Sequence, residues 1–289
     1  MISEEIKNLK RTYKNSLKGE KIGRDFIAPC LGECIKYRRG TGTFSSSILK
    51  TYILSIDNII DNQVKIEILC SPKIDLKLFE ILQKLTDGEK RNNVIQKFLD
   101  DFVYDLTGVK DLKSRNFEEQ LLSFLIAKEI LVIRFAIPIR DADIEANIFE
   151  ESEEQNYDNL VFRNMFHIKQ GYFTFANDEI VAFDGSVNET DTALSHNQEK
   201  ARVFKSWNEK HIEDVNEIVN DVDKDWGDSE ENRNENIRIY PIGEEIIRLI
   251  KDKCPIERPK NKRGTKETIG IEKKPQKKFQ FDTLWPHQE

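Results

Sequence analysis

The chain has 289 residues, of which 38% are hydrophobic and 34% charged, and its formal net charge is −7 at pH 7. This composition is typical of a soluble globular protein with a sizeable core, and it excludes an intrinsically disordered chain. The acidic balance argues against a surface that coats nucleic acid non-specifically, although it leaves room for a local basic cleft.

The sequence also bears on the compartment. Its apolar stretches are too short to span a bilayer, and its N-terminus lacks the apolar segment of a secretory signal. The four cysteines are scattered, which indicates reduced thiols. Cys30 and Cys34 are spaced like half of a zinc site, but structural thiols are the favoured interpretation. We therefore expect a cytoplasmic protein without membrane contacts.

The first half of the chain shows alternating helix and strand patterns. Ser45–Asn62 carries apolar residues at helical spacing, and Val64–Cys70 alternates like a half-buried strand. The remaining predictions for this half are helices over Leu76–Lys84, Asn93–Leu106 and Phe117–Lys128, a buried strand over Ile130–Ile137, and an acidic loop or exposed helix over Glu145–Tyr157.

The second half continues the alternation. Asn164–Phe175 and Ile180–Phe183 read as two strands joined by a hairpin-like connection. They are followed by a strand over Ala201–Phe204, an amphipathic helix over Asn208–Trp226, a strand over Ile237–Pro241 and a helix over Ile242–Lys253. Repeated alternation of strands and helices predicts an α/β sheet covered by helices.

Beyond Pro255 the composition changes. Between Pro255 and Phe279 nine Lys or Arg stand against three Glu, a local charge of +6, which is typical of an exposed linker. Aromatic residues return over Phe279–Glu289, which suggests a further domain and a chain that is the front part of a longer protein. We predict a folded domain over 1–254, a basic linker over 255–278 and the start of another domain over 279–289.

The strongest chemical signal is His167, followed two positions later by Lys169. On a strand, side chains two positions apart point to the same face. A neutral imidazole can attack phosphorus and form a covalent intermediate, and an ammonium group can neutralise the oxyanion. The turn after the following strand adds Ser186 and Asn188 as neutral donors. No cluster with metal-ligand spacing accompanies these residues, so the pattern favours phosphodiester chemistry without a metal.

These residues resemble the HKD motif of the phospholipase D superfamily, which includes many metal-independent nucleases. Segments similar to the nuclease-like domains that precede DEAD/DEAH-type helicases in bacterial restriction and phage-defence proteins are Arg38–Ser47, Leu69–Pro72, Val203–Trp207 and Ile237–Pro241. The resemblance covers Asp25–Pro259 and implies a mixed β-sheet flanked by helices on both faces.

The same resemblance extends to the end of the chain. Leu284–Gln288 looks like the opening of a helicase domain, in which Gln288 would match the glutamine that reads adenine. ATP would then be a cofactor only of a helicase domain that this chain lacks.

The sequence departs from the superfamily pattern in two ways. The acid of the motif, five positions after the lysine, falls at Thr174, and Glu199 is the candidate carboxylate from a neighbouring segment. The superfamily reaction also uses two histidines, one as nucleophile and one as general acid. The remaining histidines do not begin a His-x-Lys; they are His196, His211 and His287. The single copy implies a homodimer in which two chains build one site.

We therefore expect a metal-independent DNA endonuclease domain with His167 as nucleophile, attached to a helicase or translocase and serving restriction or antiviral defence. The alternative is a catalytically degenerate module that binds DNA or assembles a defence complex, which Thr174 and the acidic surface favour. A phospholipid-cleaving enzyme is a third interpretation, but the chain has neither a membrane-binding stretch nor a second motif.

Overall fold

A mixed β-sheet of eight strands organises the computed structural model, which describes residues 2–72, 88–109, 111–113, 115–138, 166–228, 233–254 and 257–259. The strands are β1 (Thr12–Lys14), β2 (Lys36–Thr41), β3 (Lys65–Cys70), β4 (Leu131–Pro138), β5 (Gln170–Thr174), β6 (Ile180–Gly185), β7 (Lys200–Lys205) and β8 (Ile237–Pro241). Their order is β1-β7-β6-β5-β2-β3-β4-β8. The central strands β2, β3 and β4 are parallel, and all other neighbours are antiparallel.

Helices connect the strands. They are α1 (Glu4–Lys7), α2 (Ala28–Glu33), α3 (Leu49–Tyr52), α4 (Ile56–Asp61), α5 (Gly88–Leu106), α6 (Phe117–Ala127), α7 (Asp191–Ser195), α8 (Ile212–Trp226) and α9 (Glu244–Lys253). A π-helical turn at Gly23–Ile27 precedes α2, and 3₁₀ turns lie at Ser46–Ile48, Ile53–Ser55 and Glu209–His211.

Both faces of the sheet are covered. On one face, apolar residues of α8 pack against Tyr172, Ala182 and Phe204 from β5, β6 and β7. On the other face, the Tyr37 and Phe173 rings stack with centroids 4.5 Å apart, in the core cluster that also holds the helices before and after β2. The alternation of the strands separates these two sets of side chains. The predicted mixed sheet with helices on both faces is confirmed.

The side chains of two consecutive arginines on β2 point to opposite faces of the sheet. On the face covered by α8, Arg38 donates to Glu67 at 2.6 Å, to Asp223 at 2.9 Å and to Asp228 at 2.7 Å. Arg39 points into the opposite layer, where it is fully buried. Charged residues in this strand therefore lie inside the protein because each has an ionic partner there.

The sequence patterns predict neither β2 nor the elements before it. Hydrophobic alternation is the main signal for a strand, and two adjacent arginines hide it. The region predicted as one helix over Ser45–Asn62 is helical from Ser46 to Asp61, but it is divided into short α and 3₁₀ segments. The backbone departs from helical geometry at Ser55, where φ is −127° and the hydroxyl donates to the Ala28 carbonyl at 2.6 Å.

The third difference concerns the strand predicted over Asn164–Phe175. Ladder pairing begins only at Gln170, which pairs with Gly40 of β2. Because β2 ends at Thr41, little of that strand remains to pair with residues 166–169. The elements predicted over Leu76–Lys84 and Glu145–Tyr157 lie outside the described residues.

The chain divides into two units, Met1–Pro259 and Lys260–Glu289. In the first unit, Arg258 pairs with Asp57 and Pro259 is buried, so this unit includes described residues beyond the predicted boundary at 254. The second unit, which includes Gln288, lies outside the described residues, and the predicted linker and helicase-like segment stay predictions. Within the described segments, no helix combines the length and apolar character needed to cross a bilayer.

Lowering the pH destabilises this fold through His211. Its Nδ1 accepts the backbone N–H of Lys205 at 3.2 Å. Burial, assisted by the charges of Arg11 and Lys205, lowers the pKa of His211. The unfolded chain then binds a proton more readily, so this contribution to stability is complete above about pH 6.5 and is lost as the pH falls through the lowered pKa.

Chemical unfolding at about pH 7.5 and about pH 5.5 measures this effect on either side of the ordinary histidine pKa. The free energy of unfolding should fall further in the wild type than in His211→Asn, whose side chain accepts a hydrogen bond but does not titrate. An equal loss in both proteins would contradict the assignment.

Candidate active site

His167 and Lys169 lie just before β5, at the end of the sheet where β2 stops. The alternation of the strand continues through this segment, because Phe166 and Ile168 pack on the side that holds Trp226. His167 and Lys169 therefore point to the other side, as the strand prediction requires. His167 is exposed, whereas Lys169 is 9% exposed and donates its ammonium to the His167 carbonyl at 3.1 Å.

The loop after β6 brings Asn188 to the same place. A Cβ added to Gly42 would lie 2.8 Å from Nδ1 of His167 and 3.2 Å from Oδ1 of Asn188, so these two side chains flank one glycine. Asn188 Oδ1 is buried and has no hydrogen-bond partner among the described residues. The contact at Gly42 also leaves Nε2 as the outer nitrogen of the His167 ring.

Ser186 and Glu199 form the remaining part of the site. The Ser186 hydroxyl donates to the Glu199 carboxylate and accepts the Lys200 backbone N–H at 3.2 Å. Glu199 in turn interacts electrostatically with Lys169. Gly185 is required at the start of the loop, because a Cβ there would collide with the Lys200 carbonyl. The structure thus brings the predicted residues together, which are His167, Lys169, Ser186, Asn188 and Glu199.

Two effects favour the neutral form of His167. Burial and the nearby charge of Lys169 lower the pKa of His167. Burial lowers the pKa of Lys169, with Glu199 acting in the opposite direction and Arg39 in the same one. A neutral imidazole beside a cation is the combination that nucleophilic attack on a phosphate diester needs.

The position at which the motif acid would fall lies far from this site. Thr174 is at the opposite end of β5, where it pairs with Lys36 and Ile180. At a rise of about 3.3 Å per residue, it is about 17 Å along the strand from Lys169. An acid at position 174 would not touch His167.

A buried network that the sequence patterns do not reveal lies directly behind the site. It consists of Tyr37, Arg39, Tyr52 and Glu189, which exchange hydrogen bonds in a space closed to solvent. Glu189 follows Asn188 in a turn, where a carboxylate is normally solvated. Arg39 lies in a polar segment, 36–43, in which an arginine is likewise expected at the surface.

Other candidate ligands lie elsewhere. Cys30 and Cys34 are buried, and burial raises the pKa of both thiols. Across the described residues, no group of three or more His, Cys, Asp or Glu side chains is arranged to hold a metal ion. His196 is exposed at the end of α7, and His287 lies outside the described residues.

Neither a protein-family model nor a curated protein matches the sequence. The chain is similar to the solved structure of phosphatidylserine synthase from Haemophilus influenzae Rd KW20, with 12% identity and a TM-score of 0.37, covering 83% of this chain and 44% of that one. It is also similar to Nuc, a phospholipase D family member from Salmonella typhimurium, with 12% identity, a TM-score of 0.37, and coverage of 79% and 97%.

A third similar structure is NucT from Helicobacter pylori, with 8% identity, a TM-score of 0.32, and coverage of 67% and 84%. The chain thus spans less than half of the synthase. Similarities of this size do not show what this protein does. Its function must be inferred from the geometry of the site.

Gly42→Ala should displace the His167 ring. The backbone at Gly42 has no positive φ, so the added methyl acts mainly through its contacts with His167 and Asn188. Overpacking of this kind costs about 1–3 kcal/mol. The imidazole NMR resonances of His167 should shift in Gly42→Ala but not in Gly32→Ala, where the nearest atoms are 3.5 Å away. Unchanged resonances in Gly42→Ala would refute the contact.

Lys169→Met should raise the pKa of His167, because it removes the cation that opposes protonation of the ring. An NMR titration of the imidazole measures this value without any assay of activity. Lys200→Met is the matched control, since Lys200 is exposed and begins β7, which β6 separates from β5. A midpoint that stays in place or falls in Lys169→Met would rule out this electrostatic coupling.

Proposed function

We propose that this protein is a metal-independent DNA endonuclease domain of the phospholipase D type, which cuts phosphodiester bonds through a phosphohistidine intermediate. The observation that carries the proposal is the arrangement at Gly42, where a neutral, exposed His167 lies beside Asn188 and is backed by Lys169. The nucleophile is an imidazole, so the reaction needs no metal to activate water in its first step.

The first step forms a bond between Nε2 of His167 and phosphorus. The bond from phosphorus to the leaving oxygen breaks, and that oxygen takes a proton from an imidazolium general acid. Water then attacks the phosphohistidine, the P–N bond breaks, and the second imidazole accepts the proton of the water. Both histidines return to their starting states, so atoms and charges balance over the cycle.

Lys169 and Asn188 are the proposed phosphate-binding donors. The Lys169 ammonium donates one of its three N–H groups to the His167 carbonyl, and the other two can bind the non-bridging oxygens. The Ser186 hydroxyl is donated to Glu199, so this pair orders the loop and places a carboxylate near Lys169 rather than donating directly to phosphate.

The general acid comes from a second copy of the chain. One His-x-Lys occurs in the sequence, and the reaction uses two imidazoles. We place His167 of the partner subunit opposite the first, in a homodimer that builds one site.

The wider setting rests on resemblance in sequence. The segments quoted from Arg38 to Pro241, together with Leu284–Gln288, support a nuclease domain linked to a helicase or translocase that restricts foreign DNA in the cytoplasm. ATP would serve the helicase part only.

Cleavage of plasmid DNA in EDTA tests the enzyme. His167→Ala should lower the rate by about 10⁴-fold or more, as expected for loss of a nucleophile. His196→Ala is the matched control, because this histidine is exposed and lies outside the proposed site. Light scattering should show a dimer at assay concentration.

The outcomes separate the two candidate functions. A dimer that binds DNA without cutting it would favour the degenerate binding module. Cleavage that survives His167→Ala, or that requires a divalent ion, would overturn the mechanism.

A further inference from the structure

We propose that Glu189 is a positioning residue, which acts through the buried Arg39 to fix the loop that carries Asn188 against His167. The inference rests on the proposed function and deepens it, since it concerns the same site. Neither residue touches the phosphate in the proposed mechanism.

Arg39 holds the chain on both sides of Asn188. Its guanidinium donates from one nitrogen to the Glu189 carboxylate and from the other to the Val187 carbonyl. The side chain is fully buried, so water does not compete for these bonds. A planar guanidinium with fixed donors sets both distance and angle, which a lysine would not do. The peptide groups flanking Asn188 are therefore anchored to β2.

The Glu189 carboxylate is saturated by further donors. The Tyr52 hydroxyl donates to one oxygen at 2.6 Å, and the Tyr37 hydroxyl donates to the other at 3.2 Å. The backbone N–H of Glu189 lies 3.0 Å from Thr41 Oγ1 and 3.1 Å from the Thr43 carbonyl. Both the side chain and the main chain of Glu189 thus bind the segment around Gly42, which separates Asn188 from His167.

Register connects the same arginine to the catalytic strand. Arg39 pairs with Gly171, two positions after Lys169. A Cβ on Gly171 would lie 3.1 Å from the Cβ of Arg39, so the glycine makes room for that side chain. Lys169 is the charged group that faces His167, whereas Glu199 and Arg39 face Lys169. Glu189 forms a buried ion pair with Arg39 and compensates its positive charge beside Lys169.

The neighbouring pair provides a matched control. Arg38 and Glu67 form a 2.6 Å ion pair one residue away on β2, and Glu67 is 2% exposed. This pair lies on the opposite face, under α8, away from the Asn188 loop. Glu67→Gln therefore removes a buried carboxylate from a buried arginine on the other face, where Asp223 and Asp228 still bind Arg38, so activities must be compared per folded molecule.

Steady-state DNA cleavage by Glu189→Gln and Glu67→Gln, normalised to the folded fraction, tests the inference. We expect kcat to fall about 100-fold in Glu189→Gln, because a misplacement of reacting groups by about 1 Å has this effect, while its KM changes little. In Glu67→Gln we expect both kcat and KM to stay close to the wild-type values. Equal losses in the two variants, or a change in KM alone, would overturn the positioning role.

The imidazole NMR resonances of His167 in the same variants do not depend on activity. They should shift in Glu189→Gln, because the loop that places Asn188 across Gly42 from the ring loses its anchor, and stay in place in Glu67→Gln. If the wild type cuts no DNA, the nuclease proposal fails, yet these resonances still decide the role of Glu189. Unmoved resonances in Glu189→Gln would refute it.

If Glu189→Gln does not fold, Tyr52→Phe takes its place. It removes the 2.6 Å bond to the carboxylate and keeps the charge. We then expect kcat to fall by about tenfold, which corresponds to about 1.4 kcal/mol and is close to the value of one hydrogen bond to a charged group. An unaltered kcat would count against positioning.

Discussion

The ion pair between Arg39 and Glu189 joins two segments that lie 150 residues apart in the sequence. Removing one partner of a buried pair leaves an uncompensated charge, which costs about 3–5 kcal/mol. The arrangement of the site depends on this constraint, because the strand carrying Arg39 also pairs with the one that follows Lys169. This ion pair, together with the hydrogen bonds around Glu189, thereby fixes the turn after β6 relative to the start of β5.

The two sides of the sheet differ in what they hold. The side under α8 is held by apolar residues and by the contacts of Arg38 with acids of that helix and the turn after it. The opposite side ends at the site, where a glycine, an amide and an imidazole come together. Packed side chains on one side of the sheet and the exposed His167 on the other place the imidazole on a rigid support.

Sequence patterns could predict the strands and helices with strong periodicity, such as Ile237–Pro241 and the amphipathic α8. They also selected His167 and Asn188 as candidate site residues, because both belong to short motifs with a chemical reason, and the structure places both beside Gly42. They could not predict β2, because Arg38 and Arg39 read as exposed until their distant partners are known. For the same reason Glu189 was read as part of a turn and not as a buried carboxylate.

The residue before the two arginines settles how β2 aligns with its neighbours. Strands can slip by one residue when both faces of a sheet accept similar side chains. A slip here would exchange the faces of Arg38 and Arg39, so each face would still receive one guanidinium. Tyr37, however, would leave Phe173, on which its ring stacks at 4.5 Å, and would lose its hydrogen bond to Glu189. The charges would therefore accept either alignment, and one aromatic ring selects the register.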